Sequence, residues 1–394
     1  AQLVNGTAVT SGAAITSGTA IEAKDFSGKT ITLGADIDLE NKEWIPVGTS
    51  DASKFNGCFN GNDKTIFGLY INRVGTNLGL FGYIDSTAEI KNLTVRGSVT
   101  ETSAKGSNST CVGGIVGYVN GAAKLTKLTN YSDVTMSRNY AGGIAGYVNG
   151  SAVLTGCHNY GNVSAFQYAG GIVGYSTSVT VSESTNYGNI TDTDGHSGGI
   201  AAIISNGKIE DCINEGEISG GNIKGGIVSR MGEGTVNRCT NKGRVEFSNN
   251  SWAGGIVGDF SGAGKITNCI NEGDVYPGGG TTAYLGGILG GSSYWSGAII
   301  TGNSNSGTIG NESFKGYAGG IIGNGTGSVN IENNCNMGKM LYEDGKYIGG
   351  IAGDLPAASS IKKSFSYCLN GLNDGEASFG LLGFGSNGTV TNSF

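Results

Sequence analysis

The sequence predicts an all-β protein: a right-handed parallel β-helix, or single-stranded β-solenoid, of about eleven coils of about 28–33 residues. Three observations lead to this fold class. Gly is unusually abundant, a short motif recurs about every 30 residues, and the segments between its copies alternate apolar and polar residues. Repeats are considered before domains, because a repeat changes the domain count that chain length alone suggests.

The composition excludes several other classes. The chain has 74 Gly but only 3 Pro among 394 residues, whereas collagen needs abundant Pro and a Gly at every third position. With 38% hydrophobic residues and a net charge of -7, it is not typical of a disordered chain. Lys and Arg number 24 against 31 Asp and Glu, without a basic run, so we expect no nucleic-acid partner. No apolar run approaches the roughly 20 residues of a membrane helix, so we expect no membrane insertion within this chain.

Three positions define each repeat unit. A Gly-Gly-Ile tripeptide recurs at spacings of 27 to 33 residues, with its Ile at Ile115, Ile144, Ile172, Ile200, Ile227, Ile256, Ile288, Ile321 and Ile351. An Asn follows in each unit, at Asn130, Asn159, Asn186, Asn214, Asn241, Asn271, Asn305 and Asn336. A Gly lies two residues after most of these Asn, and two residues further on stands an apolar side chain: Val163, Ile190, Ile218, Val245, Val275, Ile309 or Met340. Fixed residue types at fixed positions indicate that the units are structurally equivalent.

Each unit is predicted to form short strands separated by tight corners. Segments such as 178–182 and 265–269 alternate apolar with polar residues, which is typical of strands with one buried face. Gly and Asn supply the positive φ angles that corners require. About 28 residues suit one solenoid coil of three strands, whereas a propeller blade needs about 40 to 50 residues. Coils stacked about 4.8 Å apart would form a rod roughly 50 Å long, with stacked Ile and Val inside and the Asn side chains joined as an amide ladder.

The repeat resembles a known one. Gly-Ile-Val-Gly at 114–117, 171–174 and 255–258 and Gly-Ile-Ala-Gly at 143–146 and 350–353 are similar to the GLUG repeat of bacterial surface proteins, which include adhesins and non-catalytic regions of some secreted peptidases. The segment from Asp36 to Asn62 resembles the region that commonly precedes such repeats. The resemblance covers about residues 30–394 and implies an architecture, since the repeat carries no known chemistry. Gly-Ile-Ala-Ala at 199–202 and Gly-Ile-Val-Ser at 226–229 depart from it, so the corner is expected to differ there.

Two regions are predicted along the chain. Residues 1–75 form an N-terminal cap and the first coils, because a solenoid end exposes an open core and an unpaired edge, and residues 76–394 form the repeats. The start Ala1-Gln2-Leu3-Val4-Asn5 lacks the basic and apolar regions of a signal peptide. We therefore expect a secreted or cell-surface protein from which the signal peptide has been removed.

The eight cysteines predict neither a metal site nor a disulfide. None belongs to a Cys-x-x-Cys pair. Five share the position two residues before the Asn or its equivalent: Cys157, Cys212, Cys239, Cys269 and Cys368. We interpret them as a ladder of buried free thiols, and the alternative is a disulfide between adjacent coils, such as Cys212 to Cys239. The calcium-binding nonapeptide pattern is absent, and no metal or other cofactor is predicted.

Four titratable residues are the candidates for a catalytic site. Asp192, Asp194 and His196, with Asp211 on a neighbouring coil, are the nearest candidates for the acid and base of a glycoside hydrolase. His196 occupies a position that is usually large and flat in other units, where it reads Tyr140, Tyr168, Ile223, Trp252, Tyr284, Tyr317 and Tyr347. We interpret His196 as a member of that ladder and the two Asp as corner residues, and we predict that the chain is not an enzyme.

Two further positions carry Tyr in the first half of the rod. One follows Gly-x-x-Gly and reads Tyr83, Tyr118, Tyr147 and Tyr175, then Arg230, Asp259, Asn324 and Asp354. The other lies inside Asn-x-Gly and reads Tyr131, Tyr160 and Tyr187, then Glu215, Lys242 and Glu272. Because both positions accept charged residues, both are expected to face water. Six Tyr are predicted to form a ligand-binding strip on which sugar rings or apolar groups stack: Tyr118, Tyr147, Tyr175, Tyr131, Tyr160 and Tyr187. The alternative is that cross-coil stacking of these rings only stabilises the solenoid.

These patterns together predict a function class. We expect an extracellular, adhesin-like binding or stalk module of a bacterial surface protein, which contacts a glycan or a host or matrix protein through an exposed face. The alternative is a carbohydrate-active enzyme on the same scaffold, or the non-catalytic region of a larger secreted enzyme.

Overall fold

The protein is a parallel β-solenoid of about 11 turns. The computed structural model describes residues 25–103, 110–248, 252–278, 283–293, 297–343, 347–367, 380–383 and 388–394. Within these ranges the strand pairings are parallel, and the single helix is the 3-10 turn Asp51–Ser53. The predicted fold class and the predicted scarcity of helices are therefore confirmed.

Each full coil passes through four strands, one more than the sequence predicted, and we number them in chain order. The first strands carry Tyr-Ala-Gly or its equivalent and form a ten-stranded sheet: Asn77–Leu78, Cys111–Gly113, Tyr140–Gly142, Tyr168–Gly170, His196–Gly198, Ile223–Gly225, Trp252–Gly254, Tyr284–Gly286, Tyr317–Gly319 and Ile348–Gly349. The remaining strands form one 36-stranded sheet that bends around the rod.

The second strands follow Gly-Gly-Ile: Phe81–Ile84, Val116–Asn120, Ala145–Thr155, Val173–Ser182, Ala201–Glu210, Val228–Asn237, Val257–Phe260, Leu289–Ser292, Ile322–Gly325 and Ala352–Asp354. In some coils the second strand is interrupted and resumes as a separate strand: Lys124–Asn130, Gly264–Thr267, Ala298–Thr301, Val329–Glu332, Ser360–Lys362 and Thr389–Thr391.

The third strands contain the repeated Asn or its equivalent: His158–Asn159, Thr185–Asn186, Ile213–Asn214, Thr240–Asn241, Ile270–Asn271, Ser304–Asn305, Cys335–Asn336 and Phe365–Ser366. The fourth strands follow: Asp133–Met136, Val163–Ala165, Ile190–Asp192, Ile218–Gly220, Val245–Phe247, Val275–Pro277, Ile309–Gly310 and Met340–Leu341. The N-terminal coils are built from Thr30–Thr32, Ile37–Asp38, Cys58–Arg73 and Glu89–Glu101. These strands pair in parallel with the repeats, while residues 1–24 of the predicted cap lie outside the described residues, so the division at residue 75 stays a prediction.

Equivalent positions of successive units lie directly over one another. Tyr140 pairs with Tyr168, and Asn159 pairs with Asn186, each one repeat further along the chain. The Ile of each Gly-Gly-Ile is 0% exposed, so these side chains form the predicted internal aliphatic stack. The core of the rod is thus a set of columns, each made by one position of the repeat.

The Asn column forms the predicted amide ladder. Asn186 Nδ2 donates to Asn214 Oδ1 at 2.9 Å, and the same bond joins successive Asn from Asn130 to Asn336 at 2.8 to 2.9 Å. Asn186 Nδ2 also donates to the carbonyl oxygen of Gly188, with 2.7 Å between the nitrogen and the oxygen. Every amide of the ladder is therefore hydrogen-bonded although it is buried, as buried polar groups must be.

The second Gly of each Gly-Gly-Ile makes room for this ladder, whereas the corner beside it does not require Gly. A Cβ on Gly171, the second Gly of its Gly-Gly-Ile, would lie 2.4 Å from Cγ of Asn186. The corner before the third strand is less selective than the sequence predicted. It holds a positive φ between 46° and 70° at Gly, at Asn and also at charged residues: Lys127, Gly156, Glu183, Asp211, Arg238, Asn268, Gly302, Asn333 and Lys363.

The two departures from Gly-x-x-Gly do not interrupt the solenoid. Ala202 and Ser229 replace the last Gly and are both fully buried, and Ala201 still pairs in register with Val228. Ser229 Oγ donates to the carbonyl oxygen of Ile223 at 2.7 Å. The strand pairing is therefore retained in both coils, and the interior has room for the side chain that replaces the Gly.

Candidate binding surface

The exposed tyrosine column consists of Tyr131, Tyr160 and Tyr187. Each follows a ladder Asn whose side chain points inward, and alternation along the strand turns the Tyr outward. The ring centroids of successive members are 4.5 and 4.3 Å apart with planes 8° from parallel. The three side chains are 37–41% exposed, so this position faces water as predicted.

Charged residues lie at both ends of the exposed tyrosine column. The Arg96 guanidinium carbon lies 3.9 Å from the centroid of the Tyr131 ring, which is cation–π geometry. Beyond Tyr187 the same position reads Glu215 and Lys242, which form an ion pair with 2.9 Å between Nζ and Oε1. The surface therefore changes from aromatic to charged along the rod.

The second column consists of Tyr83, Tyr118, Tyr147 and Tyr175 on the second strands. Successive centroids are 4.8 to 5.1 Å apart, with planes within 14° of parallel. These side chains are half-buried, which is less exposure than the sequence analysis expected. At Tyr147 and Tyr175 other aromatic side chains also pack against these rings.

Those side chains are Tyr140 and Tyr168 of the first strands. The Tyr140 centroid lies 5.1 Å from that of Tyr147 and 5.0 Å from that of Tyr175, and Tyr168 lies 6.5 Å from Tyr175. Outward-pointing side chains on two adjacent strands converge only where the surface between those strands is concave. The two Tyr positions therefore line a concave corner of the rod, which we call the aromatic corner.

The stacked geometry changes how these rings can meet a partner. In both columns each ring face lies against the next ring, and Arg96 covers the outer face of Tyr131. A sugar ring or apolar group therefore has no free inner face to stack on, contrary to the expected flat platform. What each column presents to water is a row of ring edges with phenolic hydroxyls, which donate and accept hydrogen bonds.

The aromatic ladder of the first strands continues with His196. Its ring lies 5.5 Å from that of Tyr168 with planes 8° apart, so His196 is a member of the ladder as predicted. Burial, together with the positive charges of Arg230 and Lys224, lowers the pKa of His196 to about 4. Burial also raises the pKa of Tyr140 and of Tyr147 to about 12.

The charged residues that follow the second column are not all in water. Asp259 is fully buried and receives hydrogen bonds from the backbone N–H of Ser293 at 3.0 Å and from its hydroxyl at 2.8 Å. Arg230 Nε lies 3.0 Å from Asp259 Oδ2. Burial raises the pKa of Asp259 despite these partners. The expectation that charged residues mark a solvated position is therefore wrong at Asp259, which is compensated internally.

The four candidate catalytic residues have separate partners. Asp192 was interpreted as a corner residue, but its side chain lies inside the rod, where Oδ1 is 2.5 Å from Nζ of Lys224. Asp194 is exposed and accepts a hydrogen bond from Asn222 at 3.1 Å. Asp211 sits at a corner and forms a two-pronged pair with Arg238 at 2.6 and 2.7 Å. Each of the three carboxylates is thus engaged by a different polar or basic partner: Asp192 by Lys224, Asp194 by Asn222 and Asp211 by Arg238.

The described cysteines are free thiols. Cys157, Cys212, Cys239 and Cys269 are fully buried, and Cys239 and Cys269 are close enough for the backbone N–H of Cys239 to lie 3.4 Å from Sγ of Cys269. Burial raises the pKa of Cys157 to about 12, so this thiol is unreactive. Cys368 lies outside the described residues. Within the described ranges no three His, Cys, Asp or Glu side chains are grouped as metal ligands.

Sequence reasoning missed two contacts that the fold creates. It treated the position of Tyr140 and that of Tyr147 as separate columns, although they meet at the aromatic corner. It also overlooked Lys224, which stands where neighbouring coils have Ser197 and Ala253. A Lys in a column that otherwise holds small or apolar residues was the available signal.

Comparison with known proteins adds little to this description. No protein-family profile matches the chain. A stretch of 68 residues is 40% identical to a "Putative Gly-rich membrane protein" of Evansella cellulosilytica, which covers 17% of this chain and 8% of that protein. A solved structure, a "putative immunoglobulin A1 protease" from Bacteroides ovatus, aligns with 93% of this chain and 78% of its own at 17% identity and a TM-score of 0.24. In the described part of the chain no helix has the length and apolarity to cross a membrane. The resemblance to GLUG repeats stays a prediction.

Proposed function

We propose that this chain is a non-enzymatic binding or stalk module of an extracellular bacterial surface protein. It contacts a glycan or a host or matrix protein along the exposed tyrosine column, with the aromatic corner as a second contact surface. The observation that supports this proposal best is the unbroken row of Tyr131, Tyr160 and Tyr187, which keep more than a third of their surface in water.

The geometry of the row favours one kind of contact. The rings cover one another's faces, so their hydroxyl edges form a line parallel to the rod axis with one hydroxyl per coil. A linear partner with repeated hydroxyl or amide groups can hydrogen-bond to several of these edges at once. Multiple weak contacts along one polymer give a useful affinity because they share a single association step.

The experiment replaces the hydroxyls without removing the rings. The triple variant Tyr131→Phe, Tyr160→Phe and Tyr187→Phe keeps the stacked column, so thermal unfolding should shift by no more than about 2 °C. Wild type and variant are compared on a glycan array and on immobilised matrix proteins. We expect the wild type to bind at least one of these ligands and the variant to bind it at least tenfold more weakly.

The matched control changes the same position in later coils. The variant Glu215→Gln, Lys242→Met and Glu272→Gln alters the charged continuation of the column and should leave binding within about twofold, because the Tyr row is unchanged. Equal losses in both triple variants would show that the row has no special role. A wild type that binds nothing in either screen would contradict the binding function.

A further inference from the structure

Among the described residues, the interior of the rod contains a fully buried ion pair that the proposed function does not use. Lys224 and Asp192 both have side chains that are 0% exposed, and Nζ of Lys224 lies 2.5 Å from Oδ1 of Asp192. Lys224 lies in a first strand, one coil beyond the fourth strand that carries Asp192. Their columns elsewhere hold Ala165 and Gly220 beside Asp192, and Ser197 and Ala253 beside Lys224.

Both groups are held in place by further hydrogen bonds. Asp192 Oδ2 accepts from the backbone N–H of Gly195 at 2.5 Å, and Oδ1 accepts from the hydroxyl of Ser197 at 2.5 Å. Lys224 Nζ also lies 3.2 Å from the carbonyl oxygen of Gly195 and 3.4 Å from that of Ile223. The amine is thus fixed against the carboxyl group in a space closed to bulk water.

A buried pair of full charges is a poor way to stabilise this core. Desolvation of the two ions offsets much of their attraction, and apolar residues of similar volume often stabilise a protein as well or better. Burial also lowers the pKa of Lys224, which favours its neutral amine. Condensation of the ammonium with the carboxylate to an amide removes both charges, since two of the three ammonium protons leave with one carboxylate oxygen as water.

We propose that Lys224 and Asp192 form an intramolecular amide bond. The lone pair of Nζ attacks Cγ of Asp192, a C–N bond forms, the Cγ–O bond to Oδ1 breaks, and the oxygen leaves with two protons as one water. The N–H of Gly195 is placed to stabilise the negative charge that develops on Oδ2, and the Ser197 hydroxyl is placed to donate to the departing oxygen. Atoms and charges balance without an oxidant or a co-reactant.

Such a bond would serve as a covalent staple between neighbouring coils. It would close a loop of residues 192–224 and restrict the unfolded chain, as a disulfide of similar loop length does. Unlike a disulfide, it would resist reduction. This property suits a rod that transmits force, although the amide does not depend on the proposed binding function.

Mass spectrometry of the folded, reduced wild type tests the proposal. Amide formation makes the intact protein about 18 Da lighter than its sequence, the mass of one water. Trypsin should no longer cut after Lys224, so the segment 209–230 remains uncut and is linked to the segment 139–208, which contains Asp192. Fragment ions must place the link between these two side chains.

Two controls separate this bond from other dehydrations. Lys224→Arg removes the nucleophile, so its mass should equal that of its sequence, whereas water loss at the Asp194–Gly195 dipeptide by succinimide formation would persist. The exposed pair of Lys242 and Glu215, 2.9 Å apart, should stay unlinked because water surrounds it. An unmodified wild-type mass, or a water loss that survives in Lys224→Arg, overturns the proposal.

Discussion

The single residues that fix this fold are the ladder Asn and the glycines around them. Asn214 accepts a hydrogen bond from Asn186 at 2.9 Å, donates to Asn241 at 2.8 Å, and donates to the carbonyl of Gly216 at 2.8 Å. A side chain on Gly199 would collide with this amide, since its Cβ would be 2.3 Å from Cγ of Asn214. The repeated Asn and the repeated Gly-Gly-Ile therefore depend on each other, because the second Gly leaves the space that the Asn side chain occupies.

Replacing one ladder residue should destabilise the protein strongly. Asn214→Leu keeps the approximate volume but leaves the Nδ2 of Asn186, the Oδ1 of Asn241 and the carbonyl of Gly216 without their partner. Unsatisfied buried groups of this kind cost about 1–3 kcal/mol each, so we expect a loss of at least about 2 kcal/mol in urea unfolding. The exposed Asn206→Ala serves as control and should change the unfolding free energy by less than about 0.5 kcal/mol. Equal effects at the two positions would show that the ladder does not carry stability.

In the columns formed by equivalent strands, side chains of similar shape can differ in their polarity and charge. The first-strand column runs through Tyr140, Tyr168 and His196 as stacked flat rings, although the last of these can carry a charge. The stack buries the imidazole and places it near Arg230 and Lys224, which disfavour its protonated form. His196 fits the column because its ring is flat, and its burial there makes the stability of the fold depend on pH.

We expect this ring to make the protein sensitive to acid. The folded-state pKa of His196 is about 4, below the unfolded value of about 6.5, so the unfolded chain binds more protons between these values. The free energy of unfolding should therefore fall as pH falls from about 6.5 to 4, and His196→Tyr, the common residue of the column, should reduce that fall. Urea unfolding at several pH values measures this, and NMR titration of the two His assigns it. A His196 midpoint near 6.5 would contradict the prediction.

The whole molecule is a stack in which each coil pairs with its two neighbours, and few contacts reach the coil beyond, such as that from Arg230 Nη2 to the Ser293 hydroxyl at 3.4 Å. Parallel pairing extends from Thr30–Thr32 to Thr389–Thr391, with register shifts in a few pairs of strands, and the Asn ladder joins the coils from Asn130 to Asn336. Stability in such a stack is approximately the sum of coil and interface contributions. The number of coils can then change without altering the cross-section of the rod.

Removal of one whole coil should therefore be tolerated. Deleting residues 172–199 joins Gly171 to Ile200 and leaves every column in phase, since Gly171 already precedes Ile172 in the same position. The shortened protein should unfold cooperatively, and small-angle scattering should show a rod shorter by about 4.8 Å. Deleting only residues 172–185 shifts the later coils out of phase and should abolish folding. Loss of folding in both deletions would contradict the modular description.

Contacts between successive copies of one repeat position could be predicted from the sequence. Successive copies of a position lie one coil apart, so a period near 30 residues is enough to predict the aliphatic stack, the Asn ladder and the stacking of Tyr131 on Tyr160. These contacts depend only on translation along the axis. Each repeat of the sequence corresponds to one such step along the axis.

Contacts between two different positions of the repeat depend on the shape of the cross-section. The spacing of the repeat does not predict that shape. Tyr140 meets Tyr147 because the surface between the first and second strands is concave, and Lys224 reaches Asp192 because both columns point into the same interior. The angles at which the corners turn decide both contacts. Periodicity therefore specified which residues stack, and only the folded coil decided which stacks face one another and which charged groups are enclosed.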